Sequence, residues 1–178
     1  MKQARRTFLV LAAMLAATGA RGDAVEDFYR GKTVTITVGH EPGTGFDLYS
    51  RTLQRYFSKY MPGAPSLVVQ NMVGASGLTA TNWLYNVAPK DGLAMGIFAH
   101  TAPMEPLMGS GAARFDAAKF NWIGNADTSL SLCGVWHTSG VAKFDDLFTR
   151  EVRVGGTGAS GPLSSAARAV ANLLGAKV

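Results

Sequence analysis

The sequence predicts an α/β fold built on a doubly wound, mainly parallel sheet. Three observations carry that reading. Short β-branched runs alternate with segments of helical period; each run empties into a loop of glycine and hydroxyl residues; and each loop opens the next helix. The loops are PGTGFD at 42–47, VGASG at 73–77 and GGTGASGP at 155–162. Such alternation favours parallel strands joined by right-handed crossovers. In sheets of this kind ligands collect beyond the carboxyl ends of the strands.

The pattern starts after residue 22. Lys2, Arg5 and Arg6 form a basic start, Phe8 to Ala17 is an apolar run too short to span a bilayer, and small residues follow. This is the layout of a secretory signal peptide over 1–22, with cleavage expected after Ala20, Gly22 or Ala24. The Sec route is the default, and Arg5-Arg6 ahead of Thr7-Phe8-Leu9 also fits a twin-arginine signal. Cutting after Gly22 removes Lys2, Arg5, Arg6 and Arg21 and lowers the formal charge from +5 to +1. A near-neutral mature chain lacks the electrostatic footprint of a nucleic-acid binder. A soluble monomer is expected, with no nucleic-acid partner.

TVTITV at 33–38 reads as a buried strand, because β-branched residues fill it and a Gly/Pro loop ends it. A helix is expected from Gly45 to Tyr60, with Phe46, Tyr49, Leu53, Tyr56, Phe57 and Tyr60 as its apolar face. Thr44 and Asp47 have capping-box spacing, and MPGAP at 61–65 stops the helix. The grammar then repeats: strand SLVVQN at 66–71, loop VGASG, and a helix from Ser76 to Val87 with Ala80, Trp83, Leu84 and Val87 on one side. A turn at APKDG (88–92) leads to a third strand, LAMGIFAH, at 93–100.

Regularity drops over 104–120. Apolar runs at 119–127 and 130–137 follow, then a helical turn at DDLF (145–148) and a strand at VRVGG (152–156). The last helix carries Leu163, Ala166, Ala167, Val170, Leu173 and Leu174 as its stripe, with Pro162 in its first turn and Gly175 at its C-terminal stop. Trp83, Trp122 and Trp136 fall in apolar segments and are expected in the core. The lone Cys133 has no internal disulfide partner and is expected to be buried as a small hydrophobe. The chain divides into a signal peptide (1–22), a first α/β lobe (23–120) and a second segment that crosses over and starts another lobe (121–178).

The loops have the composition of an anion cradle. Small residues let backbone N–H groups converge, and a helix N-terminus adds partial positive charge. Gly43 and Gly45 also suit the tight turn of any strand–helix crossover. Asp47 serves either its own helix N-terminus or a ligand, from which it would accept an amine or hydroxyl. Enzyme patterns are missing. GASG at 74–77 and 158–161 lacks nucleophile-elbow spacing, no loop continues as Gly-Lys-Ser/Thr, and GHEPGTG fails the dinucleotide fingerprint. His40-Glu41-Pro42 is not a metal-binding helix pair, and His100 and His137 have no partner pattern. No cofactor or metal is expected, and binding rather than catalysis is the reading. The alternative is a small secreted hydrolase or transferase using Ser76 or Ser160 as nucleophile.

The stretches FYRGKTVTITVGHEPGTGFDLYSR (28–51), VVQNMVGASGLTATNWLYNVAPKDG (68–92), FNWIGNAD (120–127) and, more loosely, VGGTGASGP (154–162) resemble the Bug family, the periplasmic substrate-binding receptors of tripartite tricarboxylate transporters. That resemblance implies a periplasmic-binding-protein-like (type II) fold of two lobes around a cleft. It implies no catalysis, capture of a small carboxylate in the periplasm, and delivery to a membrane permease. By position it implies ligand contacts from Gly43, Thr44, Gly45 and Asp47, from Gly74, Ala75, Ser76 and Gly77, and from His100 and Thr101 in the first lobe. Gly156, Thr157, Gly158 and Ser160 are the implied second-lobe contribution. The chain matches only the N-terminal part of the family pattern, so weak binding, or none, is expected of it.

Overall fold

Three short strands align in parallel because each carries β-branched or large apolar residues at alternate positions, and one face of each must be covered. In the computed structural model, which describes residues 23–128, 132–156, 158–159 and 161–178, β1 (Thr33–Val38), β2 (Ser66–Asn71) and β3 (Ala94–Ile97) form a sheet in the order β2-β1-β3. The protein is therefore α/β with a parallel sheet. Ile36 of β1 is opposite both Val69 of β2 and Met95 of β3, and Val38 is opposite Asn71 and Ile97.

The two faces of β1 differ. Val34, Ile36 and Val38 are fully buried with Leu67, and Phe46, Leu53, Phe57, Met95 and Ile97 pack against them. Each such aliphatic side chain contributes roughly 1.5–3 kcal/mol by leaving water. The helix supplying Phe46 and Leu53 is α2 (Gly45–Tyr56), which packs on β1 and β2. The opposite face carries Thr35 and Thr37 and receives α3 (Leu78–Asn86), which packs on β1 and β3. Gly96 leaves room on that face: a Cβ there would come 2.2 Å from the Phe98 ring and 2.9 Å from Leu84 Cδ2 of α3. Two helices on opposite faces make the sheet doubly wound, and the strand order turns between β1 and β3.

Helix α2 is shorter than its period predicts. It ends at Tyr56 and tightens into a 3₁₀ turn over Phe57–Tyr60. Its covered side holds Phe46, Asp47, Ser50 and Leu53, whereas Tyr49, Tyr56 and Tyr60 are exposed. Amphipathic tyrosines satisfy an apolar period while keeping their hydroxyls wet. The capping box also shifts: Thr44 Oγ1 donates to the Glu41 carbonyl, and Asp47 accepts from Gly43 N rather than from Thr44. A 3₁₀ turn at Ala75–Gly77 precedes α3, and Val87 is exposed. Helix α1 (Ala24–Tyr29), unseen in the sequence pattern, is capped by Asp23, which accepts from Val25 N at 3.0 Å.

Residues 98–122 wrap the α3 side of the sheet. Asn82 and Asn86 hold the backbone of 112–114 through hydrogen bonds of 2.7–2.9 Å. Phe120 is an aromatic hub, 5.4–6.2 Å from the rings of Tyr85, Phe98, Phe115 and Trp122.

Beyond residue 122 several expectations fail. No strand forms at 152–156; Val152 N instead donates to the Lys177 carbonyl, and Lys177 N to Leu147. A strand without a neighbour leaves its ladder groups to water and gains nothing over coil. Trp122 and Trp136 are surface residues, Trp136 being 74% exposed, and Trp83 is only half-buried. Cys133 is exposed as well. These apolar runs have no sheet face on which to settle. The expected helices do form: α4 (Asp146–Thr149) and α5 (Pro162–Leu174), the latter stopping at Gly175 with φ +76°. Yet Leu163, Leu173 and Leu174 of its stripe are exposed, and Ser165 is its buried side chain. None of the described helices is long and apolar enough to cross a membrane.

Candidate functional site

The loops after β1 and β2 meet at the carboxyl end of the sheet, and glycine is what lets them. Leaving β1, Gly39 donates its N–H to the Ile97 carbonyl at 3.3 Å, and a Cβ on it would lie 2.7 Å from the Gly77 Cα. The two loops therefore cross backbone against backbone. His40 comes next. Its ring stacks on Phe46 with centroids 3.8 Å apart, and its Cε1 would lie 3.2 Å from a Cβ on Gly77. Its Nδ1 is buried and unpartnered, and burial lowers the imidazole pKa, so the ring is held neutral in the fold.

Beyond His40 the first loop is set by Asp47. This carboxylate is 3% exposed. Its Oδ2 accepts from Gly43 N and Arg51 Nε, both at 2.9 Å, and its Oδ1 accepts from Asn71 Nδ2 at 3.0 Å. The Arg51 hydrogen bond first, then those from Gly43 and Asn71, hold its pKa well below the usual carboxylate range. The ion pair with Arg51 balances the charge. Gly43 and Gly45 face open space, and Thr44 is half-buried between them. The start of α2 is left without a side-chain cap.

The second loop is the most contorted part of the described backbone. Gly74, Ala75, Ser76 and Gly77 all have positive φ, at +146°, +46°, +54° and +95°. For the non-glycine pair this conformation costs about 1–2 kcal/mol per residue, which surrounding contacts must offset. Gly158 of the last loop comes up beside this segment: a Cβ on it would be 3.0 Å from Ser76 Oγ. Ser76 and Gly158, about 80 residues apart in sequence, thus lie together (positions 76 and 158 of the chain).

The third loop, after β3, divides. His100 is exposed, whereas Thr101 is buried with its Oγ1 unpartnered. Four residues on, Glu105 is 1% exposed and accepts a 3.1 Å hydrogen bond from Ser165 Oγ, with Arg168 Nη2 3.8 Å from the same oxygen. Arg168 also donates to the Ala159 carbonyl. Helix α5 therefore docks its N-terminal half on the 101–105 turn and brings Gly158 to Ser76. Gly156 is exposed. Thr157 and Ser160 lie outside the described residues.

Of the residues singled out from sequence, Gly77 meets the first loop through Gly39 and His40, and Ser76 meets Gly158. The residues missed are those that hold the loops: Gly39, Asn71 and Arg51 around the first, Glu105 and Ser165 beneath α5. The Asp47–Arg51 pair was readable as an i,i+4 ion pair, and Asn71 as an amide ending a strand at the carboxyl edge of the sheet. Glu105 gave no sequence signal. An open groove also runs along α3, lined by Leu78, Thr79, Trp83 and Arg114, and touches the second loop at Ala75. Among the described residues, no group of three or more His, Cys, Asp or Glu side chains is placed to hold a metal.

No protein-family model, curated protein sequence or solved structure matches this chain. What the site can do follows from its residues. Small side chains and helix starts suit an anion better than a cation; the buried Asp47 carboxylate is already paired with Arg51, and Glu41 is exposed to solvent.

Proposed function

We propose that the chain is a periplasmic receptor segment of the tripartite tricarboxylate type, which holds a small carboxylate for a membrane permease. The observation that supports this reading is the meeting of glycine loops at one end of a parallel sheet, Gly39 against Gly77 and Ser76 beside Gly158. A carboxylate held there takes hydrogen bonds from backbone N–H groups and sits near the positive ends of α2 and α5. The resemblance in loop chemistry and spacing supplies the two-lobed, type II receptor, the periplasmic location and the permease. It also supplies the absence of catalysis. A receptor of this kind binds by desolvating its ligand between lobes. The second segment meets the first beside Ser76 through Gly158 and at Glu105 through Ser165.

Calorimetry against succinate, citrate and aspartate, with a neutral diol as control, tests the proposal. The expected result is saturable heat with at least one carboxylate, with Kd on the order of 1 mM, equivalent to about −4 kcal/mol, and none with the diol. Equal heats for diol and carboxylates would refute it. A serine-directed phosphonate probe tests the alternative, and no adduct at Ser76 or Ser160 is expected.

A further inference from the structure

We infer that Asn71 is the positioning residue that couples the first glycine loop and the start of α2 to the end of β2, from which the second loop departs. It ends β2, one residue (Met72) before the second loop. Its Nδ2 donates to two acceptors, the His40 carbonyl and Asp47 Oδ1, each at 3.0 Å. Its Oδ1 accepts from Arg51 Nη2 at 3.3 Å. One amide therefore reaches the exit of β1, the first turn of α2 and, through Asp47, the Gly43 N–H.

The chemistry needs an amide. Both of its acceptor contacts sit on one nitrogen, and its oxygen faces a guanidinium, so only a group with a donor on one side and an acceptor on the other satisfies all three partners. An aliphatic residue of similar size leaves the His40 carbonyl and Asp47 Oδ1 each short of a donor. A carboxylate faces Arg51 acceptably but turns an acceptor toward Asp47, and two carboxylates at that distance cannot both stay ionised without cost. The remaining charged or titratable neighbours are Arg51, from α2, and the neutral His40 ring, from the first loop.

Hydrogen exchange of the Gly43 amide reads this coupling without any ligand. In Asn71→Asp at pH 7, the protection of that amide relative to wild type falls roughly tenfold, the loss of about one hydrogen bond. The ratio returns toward one as pH drops to about 4, where the carboxylate pair takes up a shared proton. In Asn71→Leu the loss is pH-independent. A purely structural role predicts the same loss at every pH in both variants, and that result, or an unchanged Gly43 amide, overturns the inference. A second arm rests on the proposed carboxylate site: with succinate as probe, Asn71→Leu weakens binding about tenfold, and unchanged binding counts against positioning of the site. If wild type itself takes no carboxylate, the receptor reading fails, while the exchange arm still decides the coupling.

Discussion

The first 100 residues beyond position 22 and the last 50 are written in the same grammar but settle differently. In both, an apolar run leads through a glycine loop into an amphipathic helix. In the first region β1 lies between two parallel neighbours, so Val34, Ile36 and Val38 are sealed under α2, and Thr37 under α3. In the second, VRVGG finds no ladder, and Leu132, Trp136 and Leu173 stay 74–85% exposed. The difference teaches that local pattern specifies the helix, whereas a strand is specified by its neighbours. Helix α5 persists because its buried side leans on the first region through Ser165 and Glu105.

Core truncation separates the two regions most sharply. Ile36→Ala, at a site 1% exposed, should cost about 2–5 kcal/mol, while Leu173→Ala, at 81% exposed, stays within about 0.5 kcal/mol. Urea midpoints compare them directly, and similar losses at both sites would erase the contrast.

Glycine substitution gives the next effect. Gly39→Ala forces a Cβ against the Gly77 backbone and should lose about 1–3 kcal/mol. Gly155→Ala, with nothing within 4 Å, should change little. A tolerated Gly39→Ala would mean the two loops are not in backbone contact.

Protonation gives a smaller, signed effect. His40 is held neutral by burial, so its pKa is lower in the fold than in the unfolded chain. The unfolded state then binds more protons on acidification, and stability falls as pH drops below about 6.5. Replacing His40 by Gln should remove that part of the decline. Asp47 has the opposite chemistry: its folded pKa is depressed, so its contribution is complete above about pH 4 and declines only below that. A stability curve flat from pH 7 to 5 in wild type would contradict the His40 account.

The smallest effect needs no mutation. Cys133 is exposed, so a thiol reagent should modify it in the folded chain at close to the rate in denaturant. Modification only on unfolding would restore the buried position its apolar flanks suggest.

The sequence was legible where a residue answers to its own segment. β1 and β2 follow their β-branched runs residue for residue, and α5 begins at Pro162 and stops before Gly175, as proline and glycine chemistry dictates. The site was legible as composition: glycines where chains must cross, as at Gly77. It was not legible as a network. Asn71, Asp47, Arg51 and the His40 carbonyl come from three elements, and only the parallel register that sets Asn71 opposite Val38 brings them together. The sequence suggested Asp47 as a ligand contact or a helix-start residue; its three hydrogen bonds make it the holder of the first loop. Tyr49, Tyr56, Trp122 and Trp136 were misjudged for one reason: an apolar period does not say whether another surface arrives to cover it.

In the proposed receptor, backbone amides of adjacent glycine loops share one carboxylate. An amide NMR titration with succinate tests it most directly. The predicted result is saturable shifts at Gly45, Phe46 and the 74–77 segment, all fitting one Kd. Shifts confined to the Trp83–Arg114 groove, or no shifts at either loop, would contradict it.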